Sequence, residues 1–402
     1  MGEGYSEHLA SRLLAIGRES GLDACGICSA RPFDEARRAL EDGLDAGRDA
    51  GMQFTYRNPG RSCDPARSLP GARALFVGAK GYGRTPRTRN REETRPPRPA
   101  GSVAMYSWSD HYRVLRNALC GIAERLSQEG WRAKVLVDDN ALVDRAAAVR
   151  AGIGWYGKNT NVLVPRHGSL FVLGSVVTDA PIEVAEPLAT ERPTPGDSRT
   201  PGPVVDGCGP CKRCVEACPT GALDGSGHLD GRRCLAWLLE APGMFPRALR
   251  AAAGSRIYGC DDCQDACPVN LVAFRRRPPP PADDDSLDEV DLLALLDAGD
   301  EELLDRFGRW YIPKRDPSHL RRNALIALGN SADPSSPEVV RALVGALRHQ
   351  EPVVRAHAVW AAARLGRTDV LVLVSADRDP EVLAELRAAS SVESREDEAA
   401  HA

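Results

Sequence analysis

The sequence predicts three things in order along its 402 residues: a mixed helix–strand domain, a compact cysteine-rich module and a terminal stack of helices. Three observations carry this. Segments with helical spacing alternate with short apolar runs up to about residue 180, as in α/β or α+β domains. Eight of the twelve cysteines fall between Cys208 and Cys267. From His319 to Gly366 a pattern echoes itself at a spacing of about thirty residues, the mark of stacked helix pairs.

The elements follow from spacing and breakers. Residues 7–20 place Leu9, Leu13 and Ile16 on one helical face, and Gly21 is the stop. Ala24–Ser29 reads as a short buried strand, 33–46 as a helix and Ala74–Ala79 as a second buried strand. Residues 83–100 form a loop rich in proline and arginine (Arg84, Arg87, Arg89, Arg91, Arg95, Arg98). An amphipathic helix follows over 111–128, then a strand at Ala133–Val137, an alanine-rich helix over 141–151, and strands at Asn161–Val164 and Leu170–Thr178. Residues 181–206, rich in proline and acids, read as a linker or insertion. Thr220–Leu223 reads as a turn and strand, Leu235–Leu239 as a helix with Cys234 at its start, and 287–308 as two short helices. Arg321–Gly329 and Pro352–Trp360 are the echoing segments, similar to HEAT repeats; about two units are too few to stand alone, so they should pack on the preceding domain. The tail after 390 is expected to be disordered.

The cysteines carry the chemistry. Cys208-x2-Cys211-x2-Cys214-x3-Cys218-Pro219 has the spacing of bacterial two-cluster ferredoxins, in which the fourth cysteine serves the other cluster. Cys260-x2-Cys263-x3-Cys267-Pro268 follows, with Cys234 apart. Zinc is the competing reading, but paired CxxC knuckles do not produce three cysteines at two-residue intervals and a fourth before proline. The crossed rule assigns Cys208, Cys211, Cys214 and Cys267 to one [4Fe–4S] cluster, and Cys218, Cys234, Cys260 and Cys263 to the other. A chain with two such clusters moves single electrons.

Composition bounds the rest. A net charge of −4 argues against a globally basic nucleic-acid binder, so polyanion contact must come from local patches. No run of 18 apolar residues and no apolar signal core occur, so a cytoplasmic protein free of the membrane is expected. In that reducing setting a disulfide framework is not expected. Cys25 and Cys28 look like a redox pair, yet they sit in a strand whose buried thiols would act as small hydrophobes. Cys120 falls in a helix's apolar stripe, and Cys63, in a polar loop, has no assigned role.

Gly152-Ile153-Gly154-Trp155-Tyr156-Gly157-Lys158-Asn159 matches a dinucleotide fingerprint and nearly a P-loop. Both need a strand before and a helix after, and here the order is reversed; the P-loop also needs Ser or Thr where Asn159 stands. A glycine C-cap and tight loop is the simpler reading, and three glycines in six residues also let backbone approach a large ligand. Asp138, at the end of a strand, reads by itself as a cap for the helix near Ala141.

The run from Val137-Asp138-Asp139-Asn140 through Asp144-Arg145-Ala146 to Gly154-Trp155-Tyr156-Gly157-Lys158-Asn159, with Gly259-Cys260-Asp261-Asp262-Cys263-Gln264 and the terminal repeats, resembles the epoxyqueuosine reductases over about residues 8–366. The resemblance implies an oxidoreductase that reduces the epoxide of epoxyqueuosine at the tRNA wobble position to queuosine. It implies two [4Fe–4S] clusters passing electrons to base-off cobalamin, and a core similar to that of reductive dehalogenases. It makes Asp138 the catalytic acid, leaving Asp139 and Asn140 to cap. It also places Arg61, Gly154, Lys158, Asn159, Val162 and Leu173 beside the corrin. The absence of an Asp-x-His-x-x-Gly segment agrees with base-off binding. Arg275, Arg276, Arg277, Lys314, Arg315, Arg321, Arg322, Arg355 and Arg364 become candidates for tRNA phosphates, against the alternative of a solvated face.

The chain departs from the family on the substrate side. Asp139-Asn140 replaces Thr-Gly, and Asp110-His111-Tyr112 replaces Asp-Tyr-His. Ser62 stands at an arginine position with Arg61 beside it, and Trp310–Arg315 replaces a more basic stretch.

The resulting expectation is an α/β (α+β) cobalamin-binding core over 1–180, a linker over 181–206, a double-cluster ferredoxin-like module over 207–285, HEAT-like repeats over 286–370, and a C-terminal helix and tail over 371–402. Its expected partners are tRNA and an external electron donor of flavodoxin or ferredoxin type, with the chain a monomer. A reductase of the same kind acting on another epoxide or organohalide, and a non-enzymatic ferredoxin-type carrier, are the alternatives; the carrier has no use for the N-terminal domain or Asp138.

Overall fold

A computed structural model describes residues 3–85, 98–182, 188–189, 207–283 and 285–400. Arg87, Arg89, Arg91 and Arg95, and most of the 181–206 segment, lie outside the described residues. The chain forms two compact units, each discontinuous: one of residues 1–85, 109–234 and 261–283, the other of 86–108, 235–260 and 284–402.

The first unit is built on a five-stranded sheet in the order Ala133–Val137, Phe171–Thr178, Ala74–Gly81, Ala24–Ser29, Leu188–Ala189. Every pairing in it is antiparallel, so the unit is α+β rather than doubly wound α/β. Its edge strand Leu188–Ala189 comes from the segment read as a linker or insertion. Helices Glu3–Glu19 and His111–Gln128 lie on the sheet, and Asp110 caps the latter by accepting from Arg113 N at 2.9 Å. On the other face Phe33, Leu75, Val77, Leu136, Ala147, Ala148 and Ile153 share one apolar core.

This layering settles Cys25 and Cys28. Strand side chains alternate, so residues three apart face opposite ways. Cys25 Sγ meets Leu14 O of helix Glu3–Glu19 at 3.7 Å, while Cys28 Sγ meets Ala147 O on the other face at 3.9 Å. The sheet stands between them, and burial pushes the Cys28 thiol up to about 12. They are packing residues. Cys63 is also buried, and its surroundings push its thiol up to about 11; Cys120 is only partly buried on its helix.

The second unit holds a three-stranded sheet in the order Glu289–Asp291, Ala100–Val103, Arg256–Tyr258 and the helices Leu292–Asp297, Asp300–Phe307, Ser318–Ser331, Pro337–Leu347 and Pro352–Arg364. The last helix, Pro380–Ala400, runs through the tail expected to be disordered; its Ala, Glu and Arg are strong helix formers, and extending an existing helix costs little. Arg321 and Arg322, read from sequence as phosphate contacts, are buried. Arg321 pairs with Asp300 at 2.6 Å, and Arg322 donates to the carbonyls of Ala241, Gly243, Leu238 and Leu239 at 2.5–3.2 Å. Arg355 is paired with Asp377 at 2.7 Å. Lys314, Arg315 and Arg364 in this unit, and Arg275, Arg276 and Arg277 in the first, remain exposed. No described helix is long and apolar enough to cross a membrane.

Candidate functional site

Two groups of residues in the first unit define the site: a thiol quartet and an acidic loop. The quartet is Cys208, Cys211, Cys214 and Cys267. Cys214 sits on the short helix Arg213–Glu216, and Cys267 caps helix Pro268–Arg276. Burial, then the thiols of Cys208, Cys267 and Cys211, push the Cys214 thiol up to about 11. Burial also raises Cys267, against the N–H groups of Asn270 and Val269 and with the thiols of Cys208 and Cys211 adding to it. Cys214 and Cys267, more than fifty residues apart, are thus both raised by the thiols of Cys208 and Cys211. Among the described residues no three Cys, His, Asp or Glu side chains gather tightly enough around a single ion.

The other set is Cys218, Cys234, Cys260 and Cys263. Cys218 Sγ accepts from Ala222 N at 3.2 Å. Burial would raise that thiol, but N–H groups of Thr220, Ala222 and Gly221 and the Thr220 hydroxyl outweigh it and lower it, as suits a thiolate ligand. The expected strand at Thr220–Leu223 is reduced to one bridge, Leu223 to Leu229. Cys234 directly precedes helix Leu235–Glu240, and Cys263 lies on helix Asp262–Asp265.

Polar contacts bind the cluster loops to the core. Lys158 Nζ donates to the carbonyls of Gly209 at 2.7 Å and Cys211 at 3.1 Å, and Asn159 Nδ2 reaches Cys263 O at 3.5 Å. A buried network completes the junction. Tyr82 donates to Gln264 Oε1 at 3.2 Å, Gln264 Nε2 to Ser169 O at 3.0 Å, and Asn270 Nδ2 to Gln264 O at 2.7 Å. Ser169 N in turn donates to Asn270 Oδ1 at 2.6 Å. A side chain on Gly168 would collide with Asn270. The motif reading included Gln264 but not Tyr82 or Asn270; the position of Asn270 just past the second array was the available signal.

This relocates several nominated residues. Trp155–Tyr156 pairs with Val162–Leu163 as a small hairpin, which no phosphate loop would do. Its glycines serve the chain itself. Gly152 ends the preceding helix at φ +74°, and a side chain on Gly154 or Gly157 would strike Leu163. Val162 is buried in the hairpin and Leu173 packs against the core. Lys158 and Asn159 hold cluster loops, and Arg61 is exposed.

Lys158 gives a direct test. Lys158→Met keeps the stem and removes both bonds to the loop, a change of roughly 1–3 kcal/mol. The expected result is a cluster absorbance that bleaches several-fold faster under an iron chelator, with the folded helix content unchanged by circular dichroism.

The acidic loop joins strand Ala133–Val137 to helix Asp144–Arg150, which starts at Asp144 and not near Ala141. Asp138 therefore caps nothing. It sits at φ +52°, a left-handed conformation that Asp tolerates better than most residues. Asp139 makes the local turn by accepting from Ala141 N at 2.9 Å. Two departures from the family meet here: Ser62 Oγ donates to Asn140 O at 2.6 Å and Asn58 O at 3.1 Å, fastening the loop. Asp138 is exposed by surface area yet set among protein atoms. That desolvation raises its pKa, Arg116 opposes it and Asp139 adds to it.

A sheet-based core fastened to paired cysteine arrays is the construction of an iron–sulfur redox protein. Residues 207–270 match the 4Fe-4S double cluster binding domain, and residues 311–402 match HEAT repeats. Two [4Fe–4S] clusters are thus cofactors of this chain, and the protein is a two-cluster iron–sulfur oxidoreductase. Over 94% of its length it is 30% identical to the epoxyqueuosine reductase of Bacillus cereus, covering 96% of that protein. It is 34% identical to that of Burkholderia pseudomallei over 88% of this chain and 91% of the other. The chain belongs to the epoxyqueuosine reductase family.

Solved structures agree. The chain matches an epoxyqueuosine reductase bound to an epoxyqueuosine-modified tRNA-Tyr stem loop with a TM-score of 0.79 and 27% identity, over 96% of this chain and 98% of that one. It matches the Bacillus subtilis enzyme, with its aspartate catalytic loop swung out of the active site, at 0.79 and 28% over the same shares.

Proposed function

We propose that this protein reduces epoxyqueuosine to queuosine in the tRNA anticodon, with Asp138 as proton donor and the two clusters as the electron path. The single observation that carries the reading is Asp138: a carboxyl with a raised pKa, held off the helix cap it would otherwise make, in a chain similar to an enzyme with an aspartate catalytic loop. A general acid is helped by a raised pKa, and desolvation moves Asp138 in that direction. The cysteine sets Cys208, Cys211, Cys214, Cys267 and Cys218, Cys234, Cys260, Cys263 are the ligands we assign to the two clusters.

Cobalamin is the remaining cofactor of this reading, and when bound it supplies a cobalt centre able to deliver electrons to an epoxide carbon. Arg61, Gly154, Lys158, Asn159, Val162 and Leu173 are the residues we assign beside it, and Lys158 and Asn159 also hold the cluster loops. What the chain's own residues do is hold the cluster loops against the core, fix the acid's loop through Ser62 and Asp139, and raise the proton affinity of Asp138. Arg275, Arg276, Arg277, Lys314, Arg315 and Arg364, all exposed, are the remaining candidates for tRNA phosphates.

The test is anaerobic protein holding about eight irons, incubated with cobalamin, a strong reductant and tRNA carrying epoxyqueuosine, followed by mass analysis of nucleosides. Conversion to queuosine supports the reading; cobalamin binding without conversion would move the substrate to another epoxide or organohalide, and no cobalamin binding would favour the carrier.

A further inference from the structure

Two clusters need an external source of single electrons, and a carrier must come close to a cluster because transfer slows steeply with distance. Helix Pro268–Arg276 opens at Cys267, a ligand we assign to the first-array cluster. Leu271 N donates to Cys267 O at 3.1 Å, so Leu271 stands one turn from that ligand. The helix carries its apolar and polar residues the wrong way round. Asn270 is buried, with its amide committed to Ser169 and Gln264. Leu271 and Val272 face solvent at 38% and 42% exposure. Arg275 and Arg276, exposed too, follow them four residues on, so the four side chains form one outward stripe.

Single exposed apolar residues are ordinary, but an adjacent pair beside a cofactor ligand is not. Among the described residues only one other adjacent pair of large apolar side chains is exposed, Val372 and Leu373 on the terminal repeats. The stripe is also basic throughout: from Pro268 to Ala282 the chain has three arginines and no acid. Lys212 and Arg213, between Cys211 and Cys214 of the same assigned set, are exposed as well. Their helix, Arg213–Glu216, packs on helix Asp262–Asp265, which leads into Cys267.

A phosphate backbone is met by Lys, Arg and polar groups, and two aliphatic side chains in the stripe offer it nothing. A small apolar centre beside charge of one sign suits the brief encounters of redox partners, with charge steering the approach. We propose that the outer face of helix Pro268–Arg276, formed by Leu271, Val272, Arg275 and Arg276, is the docking surface for a small acidic one-electron carrier protein. Each encounter oxidises the carrier by one electron and reduces one cluster by one. Two encounters supply the two electrons that turn an epoxide into an alkene, with two protons taken up and water released. The inference rests on the clusters and on Cys267 as a ligand, not on Asp138 or the substrate.

The test follows cluster bleaching in the anaerobic, iron-loaded full chain by stopped flow. The probe is an acidic [2Fe–2S] ferredoxin, reduced and freed of reductant; dithionite is the comparison that needs no docking. Bleaching of the wild type by the ferredoxin should slow as salt rises. Arg275→Glu with Arg276→Glu should slow it about tenfold or more at low salt and remove that salt dependence. Leu271→Ser with Val272→Ser should slow it several-fold at every salt concentration and leave tRNA affinity unchanged. Iron content and bleaching by dithionite should match the wild type in both variants, which excludes a misfolded module. Wild-type bleaching that ignores salt, or ferredoxin rates unchanged in both variants, would overturn the proposal. So would a loss of tRNA affinity in both variants with ferredoxin bleaching intact, which gives the face to tRNA. Queuosine formation is not the readout, so a failure of the substrate reading leaves this result standing.

Discussion

Asp138→Asn is expected to lose queuosine formation by roughly 10²- to 10⁴-fold, the usual contribution of a positioned general acid. Asparagine is the informative replacement. It keeps the size of the side chain and tolerates the φ of +52° that Asp138 adopts. Alanine would add backbone strain and confuse a chemical loss with a misplaced loop. Because helix Asp144–Arg150 starts without Asp138, the fold should not notice the change. The measurement is single-turnover conversion beside tRNA affinity and iron content. A variant that binds tRNA, holds its iron and still converts at the normal rate would remove Asp138 from the mechanism. Since burial raises this acid, the wild-type rate should fall as pH climbs through its shifted range, and that limb should vanish in the variant.

Cys267→Ser is expected to cut bound iron from about eight to about four and to abolish turnover. The informative point is which cluster goes. Cys267 belongs by sequence to the second array, yet its thiol responds to Cys208 and Cys211 of the first. The lost cluster should be the one held by the first array, so Cys211→Ser should give the same residual spectrum and Cys263→Ser a different one. Serine is also a good cap, and Cys267 caps helix Pro268–Arg276, so the helix should survive the change. Identical residual spectra in Cys267→Ser and Cys263→Ser would mean that the crossed assignment is wrong.

Much of this was legible because it is written locally. Strand Ala24–Ser29 and helix His111–Gln128 lie at the expected positions, since a buried apolar run and a helical stripe are properties of a few neighbouring residues. The cluster motif is local for the same reason. The arginines of the repeats were misjudged because charge in a sequence does not report depth: Arg322 is buried where the carbonyls of Ala241, Gly243, Leu238 and Leu239 converge, which no spacing rule foresees. That Lys158 holds the carbonyls of Gly209 and Cys211 was not legible, because those partners lie more than fifty residues away in sequence.

Taken alone, the sequence determined the iron–sulfur chemistry and the family, because cysteine spacing and contiguous motifs are chemistry carried on adjacent residues. Only the tertiary structure decided that Asp138 is not a cap and that Lys158 grips a cluster loop. Each of those depends on which side chains the fold removes from water and brings together, and burial is what sets both the proton affinity of an acid and the value of a hydrogen bond.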